Sequence, residues 1–138
     1  MDYSAAVERH FRAPCNVGPL SSSGERIFRG EACSADRHSW VVIEADIRQR
    51  RLLRVAFQAL GCPHLIAACS RSTELLAGTE AAGLTGFDPQ ILSVELGIPP
   101  QKLGSLLILQ DALRNCFRDW DTTPPAGAQP VPTGQVAI

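Results

Sequence analysis

The sequence predicts an α+β domain, a small antiparallel sheet covered by helices, and two observations carry that prediction. On either side of Gln49-Arg50, Val41, Ile43, Ala45 and Ile47 alternate with Val42, Glu44, Asp46 and Arg48, while Leu53, Val55, Phe57 and Ala59 alternate with Arg54, Ala56, Gln58 and Leu60. A period of two marks strands with one buried face, so the pair forms an antiparallel hairpin. Beyond Gly61 the apolar residues switch to helical spacing, punctuated by Pro63, Gly78, Pro89, Gly97 and Pro99-Pro100. These helices must cover the apolar face of the sheet, and the other face should be wetter.

At the start of the chain, Tyr3, Val7 and Phe11 share one side of a short helix that Ser4 caps and that ends before Pro14. Asn16-Val17-Gly18-Pro19 and Ser21-Ser22-Ser23-Gly24 form a turn and a loop. Glu25–Arg29 offers a short first strand that Gly30 interrupts. After the hairpin, Cys62 takes the N-cap and Pro63 the first position of a helix in which Leu65, Ala68, Cys69, Ser72, Leu75 and Leu76 recur until Gly78. Asp88-Pro89 opens a second helix through Leu96, closed by Gly97. Pro99-Pro100 then leads into the longest, where Leu103, Leu106, Leu113, Phe117 and Trp120 share a stripe. Residues 1–120 make one domain, and residues 121–138, with Pro124, Pro125, Pro130, Pro132, Gly127 and Gly134, read as a flexible tail.

The 138 residues suit a single core. Thirteen Lys plus Arg stand against fourteen Asp plus Glu, with no long run of one sign, which excludes the electrostatic footprint of a nucleic-acid or membrane-surface binder. The longest apolar runs fall far short of the roughly 18 residues of a membrane span. The first residues carry acids early and lack the basic-then-apolar layout of a secretion signal, so a cytoplasmic location is expected.

Five cysteines, Cys15, Cys33, Cys62, Cys69 and Cys116, are an odd number in a chain too long to need disulfide staples, which leaves metal binding, nucleophilic chemistry or plain burial. No CxxC pair exists, so any metal site must be assembled from distant loops. Cys62 at a helix N-terminus meets the positive dipole end, a setting that favours the thiolate, the form that ligates metals; its bland reading is a small apolar side chain behind the hairpin. Cys33 sits with Asp36 and His38 in a polar loop, and thiolate, carboxylate and imidazole are all metal ligands. A solvated loop is the alternative there. His64, two residues past Cys62, is either a further ligand or a first-turn side chain facing solvent. Cys69 lies about 10 Å along the helix from Cys62, too far to share an ion, and belongs with Cys116 in the core.

In order along the chain, Tyr3-Ser4, His10-Phe11, Pro14, Asn16-Val17-Gly18, Ala32-Cys33, Phe57-Gln58-Ala59-Leu60-Gly61-Cys62, Ile66-Ala67-Ala68 and Ile98-Pro99-Pro100-Gln101-Lys102 resemble the landmarks of the IscU/NifU-type iron–sulfur cluster scaffold. The resemblance spans Tyr3 to about Trp120. It implies an IscU/SufE-like α+β fold, a three-stranded antiparallel sheet packed by helices, with a metal site where three loops meet at one end. It also implies a cluster held by three cysteines, an aspartate and sometimes a histidine. Cys33 and Cys62 match the first two cysteines. The histidine and third cysteine of the family are replaced by Gly104 and Ser105, and the aspartate is displaced to Asp36 by a longer loop. A neutral serine hydroxyl is a hard, weak ligand for iron, so the third donor is expected from Asp36, His64 or His38. Cys15 stands where the family carries arginine and has no evident partner.

The resemblance further implies a cysteine desulfurase and an Hsp70-type chaperone as partners, the latter gripping Ile98-Pro99-Pro100-Gln101-Lys102, where Gln101 replaces the family's valine. An extended Pro-Pro stretch costs little ordering entropy in a groove; a rigid helix lead-in is the alternative. The expected function is therefore a non-enzymatic iron–sulfur assembly scaffold binding iron, a 2Fe–2S cluster or zinc through Cys33 and Cys62. A degenerate relative that has lost the cluster and acts as an interaction or regulatory subunit is the competing reading. A thiol enzyme using Cys62 and His64 is disfavoured, because residues two apart on a helix face different ways.

Overall fold

The computed structural model describes residues 3–20 and 27–123. Along the chain run α1 (Ala5–Arg12), β1 (Ile27–Ser34), β2 (Ser39–Arg48), β3 (Arg51–Leu60), α2 (Pro63–Leu76), α3 (Pro89–Leu96) and α4 (Leu103–Asp121), with 3-10 turns at Ala81–Leu84 and Pro100–Lys102. The strands form an antiparallel sheet in the order β1-β2-β3. Residues 124–138 of the expected tail, the Ser21–Gly24 loop and Glu25 lie outside the described residues.

The hairpin turns at Gln49 and Arg50, whose φ values of +51° and +66° are those of a two-residue primed turn. Pairing matches Val41 with Ala59, Ile43 with Phe57 and Ala45 with Val55, then shifts at Asp46/Ile47 so that Ile47 faces Leu52. This bulge puts Leu52 in the core and leaves Leu53 49% exposed, correcting the expected alternation. A period-two pattern carries no record of one inserted residue.

The far face is drier than the pattern suggests, since Val42, Asp46 and Ala56 are buried on it. Residues 16–20 cover part of this face, a Cβ on Gly18 lying 3.4 Å from that of Ala56, and Arg48 and Arg54 close over Asp46. Val17 bridges Phe57 in parallel; the Gly18 N–H donates to the Phe57 carbonyl at 2.7 Å and the Phe57 N–H to that of Asn16 at 3.0 Å. The Leu20 N–H then donates to Glu44 at 3.1 Å. The same segment satisfies part of the β3 edge, and the Leu52 N–H donating to the Thr79 carbonyl at 2.8 Å satisfies more of it.

β1 runs through Gly30 instead of stopping at it. A Cβ built on Gly30 would lie 2.1 Å from the Cys116 nitrogen and 2.2 Å from the Ala112 carbonyl oxygen, so the missing side chain is what lets the α4 backbone cross the strand. Cys33 consequently belongs to β1, opposite Trp40, and not to a loop. On the covered face, Val41, Ile43, Val55 and Phe57 pack with Leu65 of α2 and Leu106, Leu109 and Leu113 of α4.

The helix caps follow the sequence. Ser4 Oγ accepts the Val7 N–H at 3.0 Å, Cys62 and Pro63 open α2, Asp88 accepts from the Gln90 and Ile91 N–H groups, and Gly97 closes α3 at φ +66°. One face differs from the expected Tyr3-Val7-Phe11 stripe: Phe11 is 43% exposed, while His10 joins Val7 inside, because α1 turns His10 toward Ser70 of α2. None of the described helices is long and apolar enough to cross a membrane.

Candidate metal centre

Three loops meet at one end of the sheet. Cys33 pairs with Trp40 and Trp40 with Leu60, a row across all three strands, and Cys62 follows two residues after Leu60. The β1–β2 turn reaches the other two loops: a Cβ built on Gly61 would lie 3.3 Å from Ser39 Oγ, and one built on Gly104 would lie 2.2 Å from Nη2 of Arg37. Gly61 also has to be small for α2 to start where it does, since that Cβ would meet Leu65 Cδ2 at 2.7 Å.

Cys33 is exposed on the wall of a shallow hollow of about 400 Å³ shared with Ser34, Ala35, His38, Ser39, Trp40 and Leu60. Asp36 and His38 are exposed in the adjoining turn, His38 at φ +50°. Cys62 is half-buried at the N-cap of α2, and its thiol makes no capping bond. Ser105 is 4% exposed near the start of α4. Among the described residues, Cys33, Asp36, His38, Cys62 and His64 do not bring three donor atoms within 4.8 Å of one another. The place beside Gly104 is filled by the Arg37 guanidinium, which has no lone pair to offer and repels a bare cation. Among the described residues, two thiols thus share this end with the Arg37 guanidinium and no third ligand already in place.

The solvent-facing reading of His64 is corrected: it is 1% exposed, edge-on to the Tyr3 ring with centroids 4.9 Å apart, and its Nδ1 is buried without a hydrogen-bond partner. Its burial depends on Tyr3, which precedes α1 and is remote in sequence. Burial, helped by Lys102, holds the His64 imidazole below its ordinary pKa, and burial outweighs Glu74 to do the same at His10. Both groups bind protons more readily once unfolded. Their contribution to stability is therefore complete above the ordinary imidazole pKa of about 6.5 and declines as pH falls below it. The urea midpoint at about pH 5.5 should lie below that at about pH 7.5; an equal or higher value at the lower pH contradicts the buried neutral imidazoles.

In the Ile98–Lys102 segment, Ile98 is buried and its N–H donates to the Ser93 carbonyl at 2.8 Å. Pro99 is extended (φ −62°, ψ 147°), and Pro100–Lys102 makes one 3-10 turn into α4. The segment is a helix lead-in whose exposed residues are Pro100 and Gln101. Cys15, which the sequence left without a partner, lies 3.7 Å from Glu74 Oε2, 59 residues away. No local motif signals a pair so distant in sequence.

Residues 2–125 match the model of the family described as NifU-like N terminal domain. The chain is 25% identical to "Iron sulfur cluster assembly protein 1, mitochondrial" of Yarrowia lipolytica over 98% of its own length and 78% of that relative. It is 26% identical to "Iron-sulfur cluster assembly scaffold protein IscU" of Rickettsia prowazekii, over 87% of this chain and 92% of that one. Among solved structures, a nitrogen-fixing NifU-like protein (N-terminal) from Brucella abortus superposes with a TM-score of 0.70 at 14% identity, covering 87% of this chain and 94% of that chain. At that identity the likeness speaks for the fold: a three-stranded antiparallel sheet with helices, as the sequence predicted.

Proposed function

This chain belongs to the NifU-like N-terminal domain family, and from that membership we propose that it is a non-enzymatic iron–sulfur cluster assembly scaffold in which Cys33 and Cys62 hold the iron. The observation that carries this reading is the Cys33-Trp40-Leu60 row, which sets Cys33, at the end of β1, and Cys62, at the N-cap of α2, at one end of the sheet. Relatives named as assembly scaffolds cover most of the chain, and they do not favour the reading as a clusterless regulatory subunit.

Thiolates suit iron or a 2Fe–2S cluster, and zinc is the other ion this donor set accepts. Asp36 and His38, exposed in the turn after Cys33, are the groups free to swing toward it. His64 would have to leave its packing against Tyr3. The cluster is cargo: sulfur comes from a cysteine desulfurase, and an Hsp70-type chaperone reaches Pro100 and Gln101. A cytoplasmic setting remains our reading of the compartment.

The test is transfer. The full chain, incubated anaerobically with ferrous iron, cysteine, a cysteine desulfurase and excess dithiothreitol, which reduces the delivered persulfide sulfur to sulfide, should acquire a coloured cluster and pass it to an apo-ferredoxin. A chain that assembles no cluster, or never yields one to the acceptor, contradicts the scaffold function.

A further inference from the structure

We propose that His10, Cys15 and Glu74 form a second metal site, for a zinc-class divalent ion. Glu74 stands twelve residues along α2 from Cys62, about 18 Å along the axis, so this site is separate from the cysteine end and does not rest on the scaffold reading.

The donors come from three places: His10 near the end of α1, Cys15 in the loop after it, and Glu74 in the last turn of α2. One ligand atom from each lies within 4.8 Å of the others. Cys15 Sγ is 3.7 Å from Glu74 Oε2, and His10 Nε2 is 4.0 Å from Glu74 Oε1. Around a tetrahedral ion with bonds of about 2.0–2.3 Å, donors stand roughly 3.3–3.8 Å apart. Side-chain movements of at most about 1.5 Å would therefore close the site.

A buried group holds two of the donors in place. Ser70, 0% exposed, has its Oγ 2.7 Å from His10 Nδ1 and also accepts the Cys15 N–H at 2.8 Å. When Nδ1–H donates to Ser70, the lone pair of Nε2 is left facing Glu74, the outer-shell arrangement typical of histidine ligands. Burial holds the imidazole below its ordinary pKa, and the Arg71 hydrogen bond to Oε1 at 2.7 Å holds the Glu74 carboxyl below its ordinary value while leaving Oε2 toward Cys15. Arg71 is itself partnered by Glu95 at 2.6 Å, which offsets its charge beside an incoming ion. His10 is buried, Cys15 half-buried and Glu74 exposed, so the ion can enter from the Glu74 side and keep a water as its fourth ligand. A set of one nitrogen, one sulfur and one oxygen selects zinc or cobalt over magnesium or calcium. Binding would release the Cys15 thiol proton to solvent.

Cobalt(II) added to the full-length Cys33→Ser/Cys62→Ser variant, which lacks the cysteine end, should produce a thiolate-to-cobalt charge-transfer band that saturates at one ion per chain. Adding Cys15→Ser should remove the band. Glu74→Gln, at an exposed position, should move the titration midpoint to higher cobalt, and Ser70→Ala should weaken binding about 10–100-fold. A band that survives Cys15→Ser, or that never forms in Cys33→Ser/Cys62→Ser with Cys15 intact, overturns the site and leaves the scaffold reading untouched.

Discussion

Ser105→Cys should tighten cluster binding at least about tenfold, read as the chelator concentration that strips half of the iron after anaerobic reconstitution, equivalent to about 1.4 kcal/mol of added binding. Ser105 is 4% exposed in the first turn of α4, next to Gly104, which Arg37 of the β1–β2 turn approaches. Replacing its hydroxyl by a thiol exchanges a hard neutral group for a soft ligand that ionises to bind iron. The buried setting suits a thiol, since cysteine is among the residues most often found inside. Gly104→His should add a further donor most effectively with Arg37→Ala, because a Cβ on Gly104 would lie 2.2 Å from Nη2 of Arg37 and displace that side chain, whose charge opposes an incoming ion. The expected order of iron and sulfide retention is natural chain, then Ser105→Cys, then the triple variant. Equal retention by Ser105→Cys and the natural chain would contradict the assignment of the start of α4 to the site.

Gly30→Val should destabilise the domain by about 3 kcal/mol or more, at the upper end of overpacking costs. The added Cβ would sit 2.1 Å from the nitrogen and 2.7 Å from the Cα of Cys116. These are backbone atoms that no rotamer change can move, so α4 must lift from β1, exposing Leu109 and Leu113. Gly86→Ala is the control, because its nearest neighbour would be 3.7 Å away. Urea denaturation should show a large drop in midpoint for Gly30→Val and little change for Gly86→Ala. An unchanged midpoint for Gly30→Val would refute the close crossing of α4 over β1.

The features legible in the sequence are those that local chemistry dictates. The hairpin shows because alternation flanks Gln49-Arg50. The starts of α2 and α3 show because Pro63 and Asp88-Pro89 fit first-turn geometry, and Gly97 shows as a left-handed stop. What stayed hidden depends on tertiary neighbours. Gly30 reads as a strand breaker until α4 is laid across it, and Leu53 reads as core until the bulge at Asp46/Ile47 moves it out. At the candidate site, the cysteines at strand and helix ends could be found from sequence order, and the resemblance alone singled out Gly104 and Ser105 as positions without the family's histidine and cysteine. The burial of His64 under Tyr3 and the filling of the Gly104 position by Arg37 could not, since each joins segments distant in sequence.

The central claim is that Cys33 and Cys62 hold the cluster, and the most direct measurement is the iron and acid-labile sulfide bound per chain after anaerobic reconstitution of cysteine variants. Cys69 is the internal control: it lies in the same helix as Cys62 but is fully buried, and burial pushes its thiol far above the ordinary range, so it stays protonated. The account predicts that Cys33→Ala and Cys62→Ala each abolish binding while Cys69→Ala binds as the natural chain does. Full iron and sulfide in Cys62→Ala, or their loss in a folded Cys69→Ala, would contradict it.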